Sequence, residues 1–212
     1  MDTTRESLRA WARERLSWFG QSAFRLSTPT MRIFFDPWRV PASAGPADLI
    51  LVTHPHGDHY DRKAIEGLSK GTTALVLPRS CAEGQAVGVA AGETLKVGGV
   101  GVTGVAAYNL TKRFHPRSGN WLGYLVEVDG VRLYHAGDTD PVPEMKDLRP
   151  DIALIPIGGM FAMDWKEGAR AVSLLGATLA IPMHYGMMLG GRNAGRRFAG
   201  LVGEGALVLP RS

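Results

Sequence analysis

Cysteine is nearly absent from this sequence of 212 residues. Its single cysteine, Cys81, cannot form an internal disulfide and has no CxxC partner, which excludes a disulfide framework. A structural zinc site made of thiolates is excluded for the same reason. Since the N-terminal segment also lacks the apolar centre that a signal peptide needs, we expect a protein of the reducing cytoplasm.

Long apolar runs and blocks of like charge are missing too. No stretch approaches the ~20 apolar residues that a membrane-spanning helix requires, so the sequence predicts no membrane segment. The formal net charge is +4 and the isoelectric point is about 9.4, but the arginines are scattered, which argues against a nucleic-acid partner. Apolar residues make up 45% and charged residues 21% of the chain, as in ordinary globular proteins. This length predicts one domain over residues 1–212.

The spacing of apolar residues predicts alternating helices and strands. Near the N-terminus they recur at helical spacing and predict a helix over about residues 4–15. Short apolar runs such as DLILV then alternate with helical segments such as DRKAIEGL, without a linker between them. Asp129-Gly130 joins two β-rich runs and predicts a hairpin. The sequence therefore indicates an α/β fold with mixed sheets.

Several local patterns give further structural predictions. The heptapeptide ALVLPRS occurs twice, at residues 74–80 and 206–212. Either the repeat is a coincidence, or the chain contains two similarly built halves that use this strand in the same place. Residues 81–89 have the spacing of a short helix, and the second heptapeptide has the pattern of a last strand. Residues 109–120 are polar and broken by a proline and a glycine, which predicts an exposed loop.

A dense group of candidate metal ligands follows the predicted strand DLILV, in the stretch THPHGDHYD. This stretch contains His54, His56, Asp58 and His59. Histidines at every second position point the same way along an extended segment, and imidazole together with carboxylate suits zinc, iron or manganese. The pattern HxHxDH therefore predicts a metal site at the end of this strand.

Other histidines and carboxylates follow further strands. His184 ends the apolar run TLAIPMH, and Asp138 follows the predicted hairpin. Because ligand sites in open α/β sheets lie beyond the carboxyl ends of strands, both residues are expected beside the histidine segment. The set exceeds the needs of one tetrahedral ion, and two ions ~3.5–4 Å apart would require a bridging carboxylate, for which Asp138 is the candidate. His135 lies within a strand, which favours a role in the core or behind the ligands.

The segments THPHGDHYD, YHAGDTD and IPMHYG, in this order, resemble the metallo-β-lactamase superfamily of metal-dependent hydrolases. The flanking segments WFGQSAF, GYLVEVDGVRLYHAGDTD and IPIGGMFAMD are most similar to its compact branch, which is related to L-ascorbate-6-phosphate lactonase. The resemblance extends from about Leu16 to the C-terminus. It implies a four-layer αββα sandwich of two similar halves with mixed sheets.

The resemblance also implies a set of metal ligands. The first ion would be bound by His54 and His56, the second by Asp58, His59 and His184, and Asp138 would bridge the two. Relatives usually have a further first-site histidine where this sequence has Asn109, and His115 follows six residues later. Either His115 or Asn109 could therefore complete the first site. Gln21 also stands where relatives often have a histidine.

The activity that the resemblance implies is hydrolysis of a small molecule. Two zinc ions are expected, with manganese or iron as alternatives, and a metal-bound hydroxide would attack an ester, a lactone or a phosphodiester. Asp58 would both ligate and orient this nucleophile. If Lys112, Arg113 and Arg117 face the metals, an anionic substrate is favoured.

A second class of function is compatible with the same residues. The missing histidine at Asn109 is also what a non-catalytic or weakly active metal-binding or regulatory protein on this fold would show. The sequence leaves the oligomeric state open. Trp121, Met160 and Phe161 lie on loops and could either line a pocket beside the metals or belong to the core.

Overall fold

Two six-stranded sheets make up most of the computed structural model, which describes residues 4–146, 148–186 and 189–212. Across the first sheet the order is β1 (Leu16–Gly20), β2 (Ala23–Ser27), β3 (Arg32–Phe35), β4 (Leu49–Leu51), β5 (Ala74–Pro78) and β6 (Val87–Val89). Across the second sheet it is β12 (Leu179–Met183), β11 (Ile152–Pro156), β10 (Val131–His135), β9 (Leu122–Val128), β8 (Val100–Ala106) and β7 (Thr94–Val97). Each sheet is thus formed by one half of the chain.

Both sheets are mixed, and both follow the same plan. In the first half, β1 to β3 are antiparallel and β3 to β6 are parallel. In the second half, β7 to β10 are antiparallel and β10 to β12 are parallel. The prediction of two similar halves with mixed sheets is therefore confirmed.

Alternation of side chains along the strands produces the layers. In β3, Ile33 and Phe35 belong to the large core that residues of both sheets share, whereas Phe34 belongs to a smaller core with residues of α2 (Arg62–Leu68). The ring of Phe35 stacks on His135 of the second sheet, with centroids 5.2 Å apart. The sheets therefore pack face to face, with α2 outside the first.

The other helices complete the sandwich. α3 (Trp165–Leu175) contacts β11, and α4 (Ala194–Val202) contacts β12, so both cover the outer face of the second sheet. The predicted four-layer αββα architecture is confirmed. α1 (Arg5–Arg15), in the region where the sequence predicts a helix, contacts β1, β2 and β12.

Two local predictions are wrong. Residues 81–89 do not form a helix, because Val87–Val89 pair with β5 as strand β6. The second ALVLPRS segment forms only isolated bridges, from Ala206 to Ala180 and from Arg211 to Trp18. In both segments the secondary structure depends on pairing with a neighbouring strand, which the local sequence pattern does not encode.

The two copies of ALVLPRS do not occupy equivalent places. The first copy contains β5, which follows α2 and pairs with β4. Its counterpart in the second half is β12, which follows α3 and pairs with β11 in the same way. The second copy lies one position further on, after α4 and beside β12. The interpretation that both halves use this strand in the same place is therefore wrong.

The parallel strands place their carboxyl ends at one edge of each sheet. The loops that carry the candidate ligands follow β4, β8, β10 and β12. Of the helices in the described parts of the chain, none has the length and apolar composition needed to cross a membrane.

Candidate metal centre

Four loops bring the candidate ligands together. The loop after β4 supplies four of them, and the loops after β8, β10 and β12 supply His115, Asp138 and His184. Within each of three overlapping groups, the potential ligand atoms lie within 4.8 Å of one another. The groups are His54, His56 and His115; His54, His59 and Asp138; and Asp58, His59 and His184.

Asp138 lies between these groups. Its Oδ2 is 3.2 Å from His184 Nε2, 3.5 Å from His115 Nε2 and 3.6 Å from His59 Nε2. Asp58 lies to one side, with its Oδ2 3.5 Å from His184 Nε2 and 3.8 Å from His59 Nε2. Asp138 thus faces His115 at one end of the cluster and His59 and His184 at the other, while Asp58 faces only His59 and His184.

His115 is part of the cluster, and Asn109 lies behind it. The Nε2 of His115 is 3.3 Å from His54 Nε2. The His115 side chain is buried, although the sequence predicts an exposed loop here. Asn109 Oδ1 accepts a hydrogen bond from the His115 backbone N–H at 3.1 Å, and Asn109 N–H donates to the His115 oxygen at 2.7 Å. These bonds fold the loop back and bring His115, rather than Asn109, beside His54.

Three of the histidines have an acceptor behind Nδ1. His59 Nδ1 lies 2.7 Å from Asp36 Oδ2, and His115 Nδ1 lies 3.0 Å from the Phe161 oxygen. His54 Nδ1 lies 2.9 Å from Thr53 Oγ1, whose own proton is donated to Asp36. Donation from Nδ1 leaves each Nε2 lone pair directed into the cluster, which is the arrangement that a metal-binding histidine requires.

Asp36 is the functional residue that sequence reasoning missed. It is fully buried, and its carboxylate accepts hydrogen bonds from Thr53 N–H at 2.8 Å, from Thr53 Oγ1 at 2.7 Å and from His59. Its φ of +42° lies in the left-handed region, which aspartate tolerates better than most residues. A carboxylate at the end of a buried strand, directly before Pro37, was the available signal.

Several buried polar atoms of the cluster lack a hydrogen-bond partner among the described residues. They are His59 Nε2, Asp138 Oδ1, and Nδ1 and Nε2 of His184. Buried polar groups are nearly always satisfied in native proteins, and an ion is one accepted reason for an exception. The donor set, imidazole and carboxylate without thiolate, suits zinc, iron or manganese. The residues therefore fit a divalent metal.

The electrostatics of the cluster favour positive charge. Burial lowers the pKa of His54 well below its ordinary value and that of His115 to about 4, so both imidazoles are neutral at pH 7. Burial acts to raise the pKa of Asp58, but the hydrogen bond to His184 and the attraction of His59 and His184 together outweigh burial and bring the pKa to about 2. Burial likewise acts to lower the pKa of His59, yet Asp138 and Asp36 raise it well above normal. These carboxylates stabilise a cation at this position.

His135 lies behind the centre rather than in it. Its Nε2 donates to the Ser22 oxygen at 2.9 Å, and its Nδ1 accepts from Gly137 N–H at 3.2 Å. Both ring nitrogens are therefore engaged, and the ring packs on Phe35. This agrees with the predicted role in the core.

Gln21 connects two of the candidate ligands. It is fully buried in the turn between β1 and β2, with a φ of +47°. Its Nε2 donates to Asp58 Oδ2 at 3.3 Å, and its main-chain oxygen accepts from His184 N–H at 2.8 Å. Its Oε1 is buried without a partner in the described part of the chain. Gln21 thus positions Asp58 relative to His184.

Replacing Gln21 with leucine should weaken the binding of one metal ion about tenfold, because leucine keeps the volume but cannot donate to Asp58. The affinity is measured by competition between the metal-loaded protein and a chelator. Gln85→Leu, at an exposed glutamine, is the control. Unchanged affinity in Gln21→Leu would show that this contact does not position a ligand.

Comparison with known proteins identifies similar chains. The family model of the β-lactamase superfamily domain matches residues 15–184. A UPF0173 metal-dependent hydrolase from Korarchaeum cryptofilum is 38% identical over an alignment of 191 positions, and the match covers 81% of this chain and 82% of the relative. Another, from Thermococcus onnurineus, is 36% identical over an alignment of 216 positions, and the match covers 92% of this chain and 95% of the relative.

A solved structure shows the same fold. Igni18, a metallo hydrolase from the hyperthermophilic archaeon Ignicoccus hospitalis, superposes with a TM-score of 0.75 at 26% sequence identity. The match covers 93% of this chain and 95% of Igni18.

Proposed function

The chain belongs to the metallo-β-lactamase superfamily and is a metal-dependent hydrolase, and we propose that two divalent ions at the cluster serve hydrolysis of an ester, lactone or phosphodiester in a small molecule. The observation that carries this proposal is the position of Asp138 among imidazoles from both ends of the cluster. A carboxylate so placed can serve two ions at once.

The proposed ligands divide between two ions. One ion would be held by His54, His56 and His115, the other by Asp58, His59 and His184, and Asp138 would serve both. Zinc suits this set best, with manganese and iron as alternatives. The approach of His115 Nε2 to 3.3 Å from His54 Nε2 supports His115, rather than Asn109, as the third ligand of the first ion. With this ligand the first site would be complete, which favours the enzyme over a non-catalytic binding protein.

The reaction requires a nucleophile and a proton acceptor. A divalent ion held by these ligands would supply the first, since a bound divalent ion lowers the pKa of water into the neutral range. Asp58 is the more exposed of the two carboxylates, with 28% of its side chain accessible against 3% for Asp138. With a pKa of about 2 it is ionised at neutral pH, and it can orient water and pass a proton towards the leaving group.

Replacing Asp58 with alanine should lower kcat about a hundredfold or more, because it removes both a ligand and the proton acceptor. The measurement is steady-state turnover of a phosphodiester and a lactone at saturating metal. Glu83→Ala removes an exposed carboxylate and serves as the control. Unchanged turnover in Asp58→Ala would refute the assigned role.

The proposal as a whole is tested by metal content. Elemental analysis of protein purified without added metal is combined with a panel of ester, lactone and phosphodiester substrates. Two equivalents with turnover would support a dinuclear hydrolase. One equivalent or fewer, without turnover on any substrate, would favour the weakly active binding protein instead.

A further inference from the structure

Exposed apolar side chains are concentrated beside the metal centre. Met160 is 64% exposed, Leu110 is 57% exposed and Phe114 is 45% exposed. Leu110 and Phe114 belong to the loop that carries His115, and Met160 belongs to the loop after β11. Large apolar side chains grouped in this way on a surface mark a place where another molecule binds.

The loop that presents Met160 is held in its conformation by hydrogen bonds. Gly159 N–H donates to the Met163 oxygen at 2.9 Å, Ala162 N–H donates to the Gly159 oxygen at 2.9 Å, and Gly158 forms a bridge with Asp164. Met160 itself has a φ of +30°, which is unfavourable for a residue with a side chain. Such strain persists only where the surroundings enforce it, and it concentrates at functional sites.

This loop is joined directly to a proposed ligand. The Phe161 oxygen lies 3.0 Å from His115 Nδ1, within hydrogen-bonding distance. The rings of Phe114 and Phe161 meet edge to face, with centroids 4.6 Å apart. Phe114 and Phe161 thus meet beside His115, Met160 precedes Phe161 in its loop, and Leu110 lies in the loop of Phe114. These four residues are the apolar rim.

Two of the three lysine and arginine side chains of the loop that carries His115 are already paired. Lys112 Nζ lies 2.5 Å from Asp140 Oδ1 and 3.3 Å from Glu167 Oε2. Arg117 lies 3.1 Å from Glu144 Oε1. An anionic substrate would have to displace these carboxylates, and in the described part of the chain Arg113 is the cation of this loop that has no ion-pair partner. The charges next to the centre thus give an anion little to bind.

We propose that the apolar rim binds an uncharged alkyl or aryl group of the substrate, next to the ester or lactone bond that is hydrolysed. The proposal rests on the proposed function and assigns its substrate class. Burial of the apolar group against Met160 and the two phenylalanines supplies binding free energy, while the metal ligands act on the polar bond.

The test compares substrates and inert probes of increasing chain length on the metal-loaded protein. Turnover is measured with p-nitrophenyl acetate, butyrate and hexanoate, and with the anionic p-nitrophenyl hemisuccinate. Binding of alkyl hydroxamates of the same lengths is measured by calorimetry, which needs no turnover. The variants are Met160→Ser and Phe114→Ser, and the control is Leu201→Ser, at a residue of α4 that is 56% exposed.

We expect kcat/KM and hydroxamate affinity to rise by up to about fourfold per added methylene in the native protein and in Leu201→Ser. Both slopes should be flatter in Met160→Ser and Phe114→Ser. Three results would overturn the proposed role of the rim. They are values that do not depend on chain length, slopes that both variants retain, and faster hydrolysis of the hemisuccinate than of the butyrate. If no ester is hydrolysed but the hydroxamate slope is present and lost in the variants, the rim stands and the proposed hydrolysis of esters fails.

Discussion

Replacing Asp138 with asparagine should lower kcat/KM at least about a thousandfold and reduce the bound metal from two equivalents to one or fewer. Asparagine has nearly the same shape, but it lacks the negative charge that Asp138 places 3.2 to 3.6 Å from three imidazoles. Asp138 Oδ1 has no hydrogen-bond partner among the described residues, and the ion-pair contacts of Oδ2 are with proposed ligands. The loss should therefore fall on metal binding and turnover.

A matched control distinguishes this effect from a general loss of structure. Asp151 precedes β11, at the other end of the second sheet, and accepts a hydrogen bond from Arg132 N–H at 2.8 Å. Asp151→Asn should keep both metal equivalents and full turnover. Metal content by elemental analysis and the midpoint of urea unfolding are measured for both variants. If Asp138→Asn retains two equivalents and its turnover, this carboxylate does not bridge two ions.

The sequence was informative about the centre wherever ligands are neighbours in the chain. The stretch from His54 to His59 follows the buried strand β4, so its position beyond a carboxyl end could be predicted from the pattern alone. His184 and Asp138 follow strands of the parallel region in the same way. The ends of predicted strands therefore locate such residues at one edge of the sheet, and no tertiary contact has to be known.

Contacts between distant segments could not be predicted. Asp36 is 23 residues from His59 in the chain, and the two meet because β3 and β4 are parallel neighbours, with Phe35 opposite Leu51. His115 lies in a polar segment, whose composition predicts exposure. Its burial depends on bonds to Asn109 and to Phe161, which is 46 residues away. The periodicity of apolar residues predicts which face of a helix or strand a residue lies on, but not which distant residue it contacts.

The repeated heptapeptide shows the same limit for secondary structure. Both copies have the identical sequence ALVLPRS, yet the first forms β5 between two strands and the second forms only isolated bridges. Local β propensity is equal in the two copies, so the difference comes from their neighbours. Segment 81–89 has helical spacing, but its last three residues form β6, because β5 offers an edge with which to pair.

Replacing Asp36 with alanine should lower the free energy of unfolding by about 3–5 kcal/mol. The change leaves His59 Nδ1 and both donors of Thr53 in a buried place without an acceptor. Unfolding by urea is measured with metal removed by a chelator, so that metal binding does not contribute to stability. The control is Asp48→Ala at the opposite end of the same strands. Asp48 is partly exposed and pairs with Lys70, so its loss should cost about 1 kcal/mol.

Asp36→Asn separates the two roles of this residue. The amide keeps an oxygen acceptor for Thr53 and tolerates the positive φ, so the fold should be retained. It lacks the negative charge that favours a cation at His59, and we expect metal affinity to fall 10- to 100-fold. Competition against a chelator measures this affinity. Two results together would contradict both roles: Asp36→Ala is as stable as the native protein, and Asp36→Asn binds metal with native affinity. In that case neither the hydrogen bonds nor the charge of Asp36 supports the centre, and packing alone orients His59.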